Sequence, residues 1–170
     1  MPKASLDFNL PDSKITEALG AALARAFSAF SSGAVVHLRG ELGSGKTTCA
    51  RSLLHALGVT GQVRSPTYTL VDTYTTPQLN CVHVDLYRIS SSAEVEELGL
   101  RDLTGPNYLM LIEWPDKGGS AVPPADLDLQ LKYAGESRLA SLRAGSDVGA
   151  EWLSKLGLDT SLVPYVSNLT

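Results

Sequence analysis

Three glycines, a lysine and two threonines lie in one short run, Gly40-Glu41-Leu42-Gly43-Ser44-Gly45-Lys46-Thr47-Thr48. Glycines at 43 and 45 let successive backbone N–H groups turn inward on an anion, because side chains obstruct the angles and close approach this needs. Lys46 is spaced to meet β and γ phosphates, the Thr47 hydroxyl to ligate magnesium, and Thr48 to sit beside the α phosphate. Gly43, Ser44, Gly45, Lys46, Thr47 and Thr48 are therefore the phosphate-binding candidates. Lys46 is also a candidate for catalysis and Thr47 for metal ligation.

A magnesium–nucleotide site also calls for a carboxylate at the carboxyl end of a neighbouring strand, to hold the metal or order an attacking water. Two acids compete for that place. Glu113 follows the apolar run Tyr108-Leu109-Met110-Leu111-Ile112, and Asp85 ends Cys81-Val82-His83-Val84. His83 alternates with Asp85 and shares its face, where it reads as a hydrogen-bonded structural histidine. No asparagine is followed by lysine, so the Asn-Lys-x-Asp signature of a guanine site is missing. Asp102-Leu103-Thr104-Gly105 reads as a loop rather than a switch, since it follows Gly99 and a short helix.

The elements that must position these groups follow from periodicity. Leu19, Leu23, Ala26, Phe27 and Phe30 recur at helical spacing, which predicts a helix over 13–31 capped by Asp12, Ser13 or Thr16 and ended by Gly33. Ala34-Val35-Val36-His37-Leu38 reads as a buried strand entering the glycine loop, and 47–57 as the helix leaving it, stopped by Gly58. The β-branched and aromatic runs 67–74 and 81–87, with a polar link between them, predict an antiparallel pair. Ser91-Ser92-Ala93-Glu94 opens a short capped helix closed by Gly99. Pro115, Gly118-Gly119 and Pro123-Pro124 mark a long loop, after which strands over 127–133 and 138–143 can pair. Asp147 can cap a last helix carrying Trp152, Leu153 and Leu156, with Gly157 as its stop.

A chain of 170 residues with 44% hydrophobic content can bury one sizeable core and is short for two ordinary domains. Its net charge of −4 argues against binding nucleic acid unaided. Cys49 and Cys81 are too few and too far apart for a zinc framework and read as small core residues in a reducing compartment. With no apolar run long enough to span a bilayer and no apolar signal core after Met1-Pro2-Lys3-Ala4-Ser5, the chain is expected to be cytoplasmic.

Taken together, Gly40 to Thr48, Ser65-Pro66-Thr67-Tyr68-Thr69-Leu70-Val71, His83-Val84-Asp85-Leu86-Tyr87-Arg88 and Leu111-Ile112-Glu113-Trp114-Pro115 resemble, in order and spacing, the TsaE family. The resemblance runs over about residues 8–143, and its second and third blocks are far more specific than the glycine loop. TsaE is the ATPase component of bacterial tRNA threonylcarbamoyladenosine synthesis. The resemblance implies an α/β P-loop NTPase fold with a mixed parallel and antiparallel sheet flanked by helices, the cofactors ATP and Mg2+, and the partners TsaB and TsaD. In that system TsaD transfers the threonylcarbamoyl group onto the adenosine 3′ of the anticodon, TsaE hydrolyses ATP to support repeated turnover, and tRNA is reached only through the complex.

Carried over by position, the resemblance makes Gly43 to Thr48 the phosphate contacts, Thr47 and Glu113 the magnesium pair, and Asp85 a second essential acid. It places Thr67 in a switch-like loop, Arg138 near a nucleotide contact, and Asp12-Ser13 beside the base. Ser13 stands where an acid is common, Glu41 where Asp is usual and Ser44 where Ala is usual. Residues 1–145 are then the ATPase domain, and 146–170 a helix and tail with no assigned role. Two other readings stay open, a small-molecule or nucleoside kinase and a non-catalytic nucleotide sensor. The loop from Asp116 to Asp126 has no arginine to serve a kinase lid.

Overall fold

The apolar runs around both acids become neighbouring parallel strands, bringing Asp85 and Glu113 side by side. The computed structural model describes residues 4–167. Residues 1–3, which open the N-terminal run, and 168–170, which end the 146–170 segment, lie outside the described residues. The strands are β1 (Ser5–Leu10), β2 (Ala34–Arg39), β3 (Val71–Thr75), β4 (Asn80–Asp85), β5 (Tyr108–Glu113), β6 (Leu127–Ala134) and β7 (Ser137–Ala144). The helices are α1 (Ser13–Ala26), α2 (Lys46–Ala56), α3 (Ser92–Glu97) and α4 (Asp147–Leu156).

All seven strands form one sheet, ordered β1-β7-β6-β2-β5-β4-β3. Its centre, β6-β2-β5-β4, is parallel, while β3, β7 and β1 add antiparallel edges. Alternation along β5 explains how the sheet is covered on both faces. Leu109 and Leu111 join the core beneath α1, α2 and α4. Met110 and Ile112 join the core with Val95 of α3 and Ala121. Each large side chain so buried contributes about 1.5–3 kcal/mol of transfer free energy, so two well-filled layers hold the strand ends in place.

The mixed sheet and both expected antiparallel pairs are present. The boundaries differ for local reasons. The helix expected over 13–31 ends at Ala26, because Phe27 turns extended to pack between Phe30 and Trp152, at ring-centroid distances of 5.0 and 4.9 Å. The strand expected from 67 begins at Val71, since Leu70 at φ 66° turns the backbone left-handed. Its partner ends at Asp85, whose Oδ1 accepts a hydrogen bond from the Tyr87 N–H at 2.9 Å and turns the chain. The last helix is capped by Ser146 rather than Asp147. Residues Pro115–Ala121, read as loop, form two short 3-10 turns that meet at a kink at Gly119, where φ is 52°.

β1 was not anticipated, although Leu6, Phe8 and Leu10 alternate as a half-buried strand should. It pairs with β7, and an isolated bridge from Phe8 to Val166 brings the tail back against it. α4 packs on α1 and β7, with Trp152 donating from its indole to the Leu23 carbonyl at 2.9 Å. Cys49 and Cys81 are buried, and burial pushes the Cys49 thiol up to about 12.

Candidate functional site

The glycine loop joins β2 to α2 at the carboxyl end of the parallel strands, where ligands of such sheets bind. Gly43 and Gly45 have φ of 74° and 107°, values that only glycine adopts readily. Gly40 is needed for space as well: a Cβ there would lie 2.6 Å from the Leu131 carbonyl oxygen. The loop backbone thus opens toward the start of α2, whose first N–H groups have no intrahelical partner and favour an anion.

Lys46 is the first residue of α2 and is buried beside the acids. Its Nζ donates to the Gly40 and Glu41 carbonyls at 2.6 and 2.9 Å and stands 4.4 Å from the centroid of the Trp114 ring. Burial lowers its pKa from the ordinary lysine value, while Glu113 and Asp85 act against that shift. Trp114 lies in the left-handed region at φ 57° and packs against Tyr87, ring centroids 5.0 Å apart.

The two acids meet because β4 and β5 pair with Asp85 opposite Glu113. The Thr47 hydroxyl donates to Glu113 Oε1 at 2.9 Å. Ser65 places its hydroxyl between the acids, bonded to Asp85 Oδ2 and 3.4 Å from Glu113 Oε2. His83 Nε2 lies 2.7 Å from the same Glu113 oxygen. A hydroxyl and two carboxylates at the foot of a phosphate loop form a hard oxygen donor set, suited to Mg2+. Among the described residues no group of three or more His, Cys, Asp or Glu could hold a metal alone. An ion here would therefore share its coordination with phosphates and water, as Mg2+ commonly does.

A cavity of 370 Å³ runs from Gly43–Thr48 to Asp85, Glu113 and Trp114, with Thr67 and Arg88 on its walls. A second, of 140 Å³, lies on the other side of the same glycines and is lined by Asp12, Ser13, Thr16, Glu136 and Arg138. Every site candidate named from the sequence thus lines one of two cavities that share Gly43, Ser44, Gly45 and Thr48. Arg138 also reaches the loop directly, donating to the Gly43 carbonyl at 3.4 Å. Arg88 instead stands over the Tyr68 ring, 4.7 Å from its centroid.

Several supporting contacts had no signal of their own in the sequence. Tyr133 donates its hydroxyl to the Leu42 carbonyl at 2.6 Å and holds Arg138 over its ring. Behind Trp114, Arg39 bonds Asp116 and, at 2.8 Å, Asp128. His37 Nε2 donates to the Pro123 carbonyl at 2.8 Å. These ties hold the 3-10 segment against β2 and β6. His83, read only as a structural histidine, turns out to contact one of the two acids; its alternation with Asp85 was the available signal.

The chain is similar to several known proteins. A protein from Haemophilus influenzae described as tRNA threonylcarbamoyladenosine biosynthesis protein TsaE is 39% identical over 120 residues, covering 71% of this chain and 76% of its own length. The protein so described from Bacillus subtilis is 35% identical over 116 residues, 68% of this chain and 72% of its own. The crystal structure of Bacillus subtilis YdiB superposes with a TM-score of 0.76 at 26% identity, over 92% of this chain and 97% of that one. The model of the family described as threonylcarbamoyl adenosine biosynthesis protein TsaE matches residues 10–140, and with the shared P-loop fold this places the chain in the TsaE family.

Proposed function

We propose that the chain is a cytoplasmic Mg2+-dependent ATPase that supports threonylcarbamoylation of the adenosine 3′ of the anticodon in tRNA, acting with TsaB and TsaD. Family membership carries the pathway. The observation that carries the chemistry is the convergence of Thr47, Glu113, Ser65 and Asp85 at the foot of the glycine loop. Thr47 and Glu113 are the residues that would hold Mg2+, which when bound supplies positive charge to the β and γ phosphate oxygens.

The chain's own groups account for the remaining needs of hydrolysis. Backbone N–H groups of Gly43 to Thr48 cradle the phosphates, and Lys46 exchanges its two loop carbonyls for β and γ phosphate oxygens. Asp85 and Glu113 provide acceptors that can orient a water for attack on the γ phosphorus. The oxygen–phosphorus bond to the water then forms as the bond to the β–γ bridging oxygen breaks, releasing ADP and phosphate. Ser13 and Arg138, lining the second cavity, are assigned to the nucleoside end.

An arginine aimed at the developing phosphoryl charge can be worth about 10³–10⁵ in rate. Arg88 is held on Tyr68 and Arg138 on Tyr133. Slow hydrolysis by the chain alone, accelerated by TsaB and TsaD, is therefore expected. Phosphate release measured alone, with both partners, and with partners plus tRNA tests this. Fast turnover unchanged by the partners, or phosphoryl transfer to a small acceptor in place of water, would refute it.

A further inference from the structure

His83 is fully buried, at 0% exposure, in the sheet beneath the glycine loop. The β4–β5 register sets it opposite Leu111, two residues before the Asp85–Glu113 pair and on the same face as Asp85. Such diagonal neighbours are within reach of a long side chain, and Nε2 lies 2.7 Å from Glu113 Oε2. A carboxylate can only accept, so Nε2 carries the hydrogen. The other ring nitrogen, Nδ1, is buried with no partner among the described residues. A histidine kept for structure would be expected to satisfy both nitrogens. Among the described residues, the ring's single hydrogen bond goes to Glu113.

His83 does not line the phosphate cavity, whereas Glu113 does. The ring therefore holds the carboxylate from behind. With Oε2 pinned by His83, the carboxylate plane turns Oε1 toward the Thr47 hydroxyl at 2.9 Å. We propose that His83 is a positioning residue for Glu113, presenting Oε1 beside Thr47 for the Mg2+ of a bound nucleotide. The inference rests on the Mg2+–nucleotide reading above. Partners that orient an acidic ligand from behind typically matter about 10- to 100-fold in metal affinity or activity.

The test uses the full chain with His83→Gln, His83→Asn and His83→Leu. A glutamine amide can reach the place of Nε2, an asparagine amide only that of Nδ1, and leucine donates nothing. Equilibrium ATP binding is measured with Mg2+ and with chelator, and thermal unfolding checks folding. In the expected result the wild type and His83→Gln bind more tightly with Mg2+. His83→Asn loses about 10-fold or more of that increment, as does His83→Leu, while affinity in chelator is unchanged for all. Should His83→Leu fail to fold, the Gln and Asn variants decide alone. Equal Mg2+ increments in wild type and His83→Asn would overturn the positioning role only. A wild type with no Mg2+-dependent ATP binding would overturn both this role and the ATPase reading.

Discussion

Lys46 shows how one residue can be prepared for a ligand by the cost of its burial. Its ammonium is held among carbonyls and lowered in pKa by desolvation, with Glu113 and Asp85 opposing. Phosphate oxygens favour the charged form, so the contribution of Lys46 to ATP affinity should be constant at pH values well below its pKa. It should fall as pH rises through the lowered pKa, which lies below the ordinary lysine value. The contribution of this group to stability runs the other way. Between the folded and unfolded pKa values the unfolded chain binds more protons, so the unliganded fold gains stability with rising pH. Lys46→Ala should weaken ATP binding by about 10- to 100-fold, the worth of one charge-assisted hydrogen bond or a little more, and should abolish this alkaline limb. Calorimetric titration across pH checks both effects, and a mutant with wild-type affinity would remove Lys46 from the phosphate site.

At the scale of elements, the site depends on how closely α1 approaches α2, because α1 begins at the second cavity and α2 at the first. Gly20 permits that approach: a Cβ there would meet the Cys49 carbonyl oxygen at 2.5 Å and Ser52 Cβ at 2.8 Å. Gly20→Ala sets two effects against each other. Helix propensity favours alanine by about 1 kcal/mol, whereas overpacking costs about 1–3 kcal/mol. The nearest atom belongs to the α2 backbone and cannot swing aside, so the steric term should win. A lower melting temperature with weakened ATP binding is expected in parallel thermal and binding measurements. Unchanged values would mean that the two helices can separate without cost to the site.

The whole molecule is closed by a segment beyond the stretch that the family model matches. Residues 147–156 form α4, and Trp152, Leu153 and Leu156 join the same core as α1 and the central strands. Truncating a large buried aromatic costs about 3–5 kcal/mol, a large part of the roughly 5–15 kcal/mol that stabilises a typical domain. Trp152→Ala also leaves the Leu23 carbonyl without its indole donor. Denaturant unfolding should show a loss of that size, although Trp152 lines neither of the two cavities at the glycine loop. A loss below about 1 kcal/mol would show α4 to be an appendage, since surface substitutions usually lie within 0.5 kcal/mol.

Much of the candidate site was legible because its signals are local. The glycine loop is contiguous, and its conformation follows from residues that tolerate positive φ. Asp85 and Glu113 stood out as acids ending apolar runs, a pattern that needs no knowledge of their neighbours. Periodicity misled at Phe27 and Phe30, whose helical spacing continues past the end of α1 because the chain turns there and the Phe27 ring packs between Phe30 and Trp152. Strand pairing, by contrast, joins residues far apart in the chain through register, which composition does not encode. Tertiary structure alone set Asp85 opposite Glu113, brought the Ser65 hydroxyl between them, laid Tyr133 on the glycine loop and turned His83 onto the carboxylate. The sequence by itself determined which chemical groups the protein has and that they end strands or begin helices. Only the packed sheet decided which groups touch, because a hydrogen bond between distant residues exists only once both backbones are fixed.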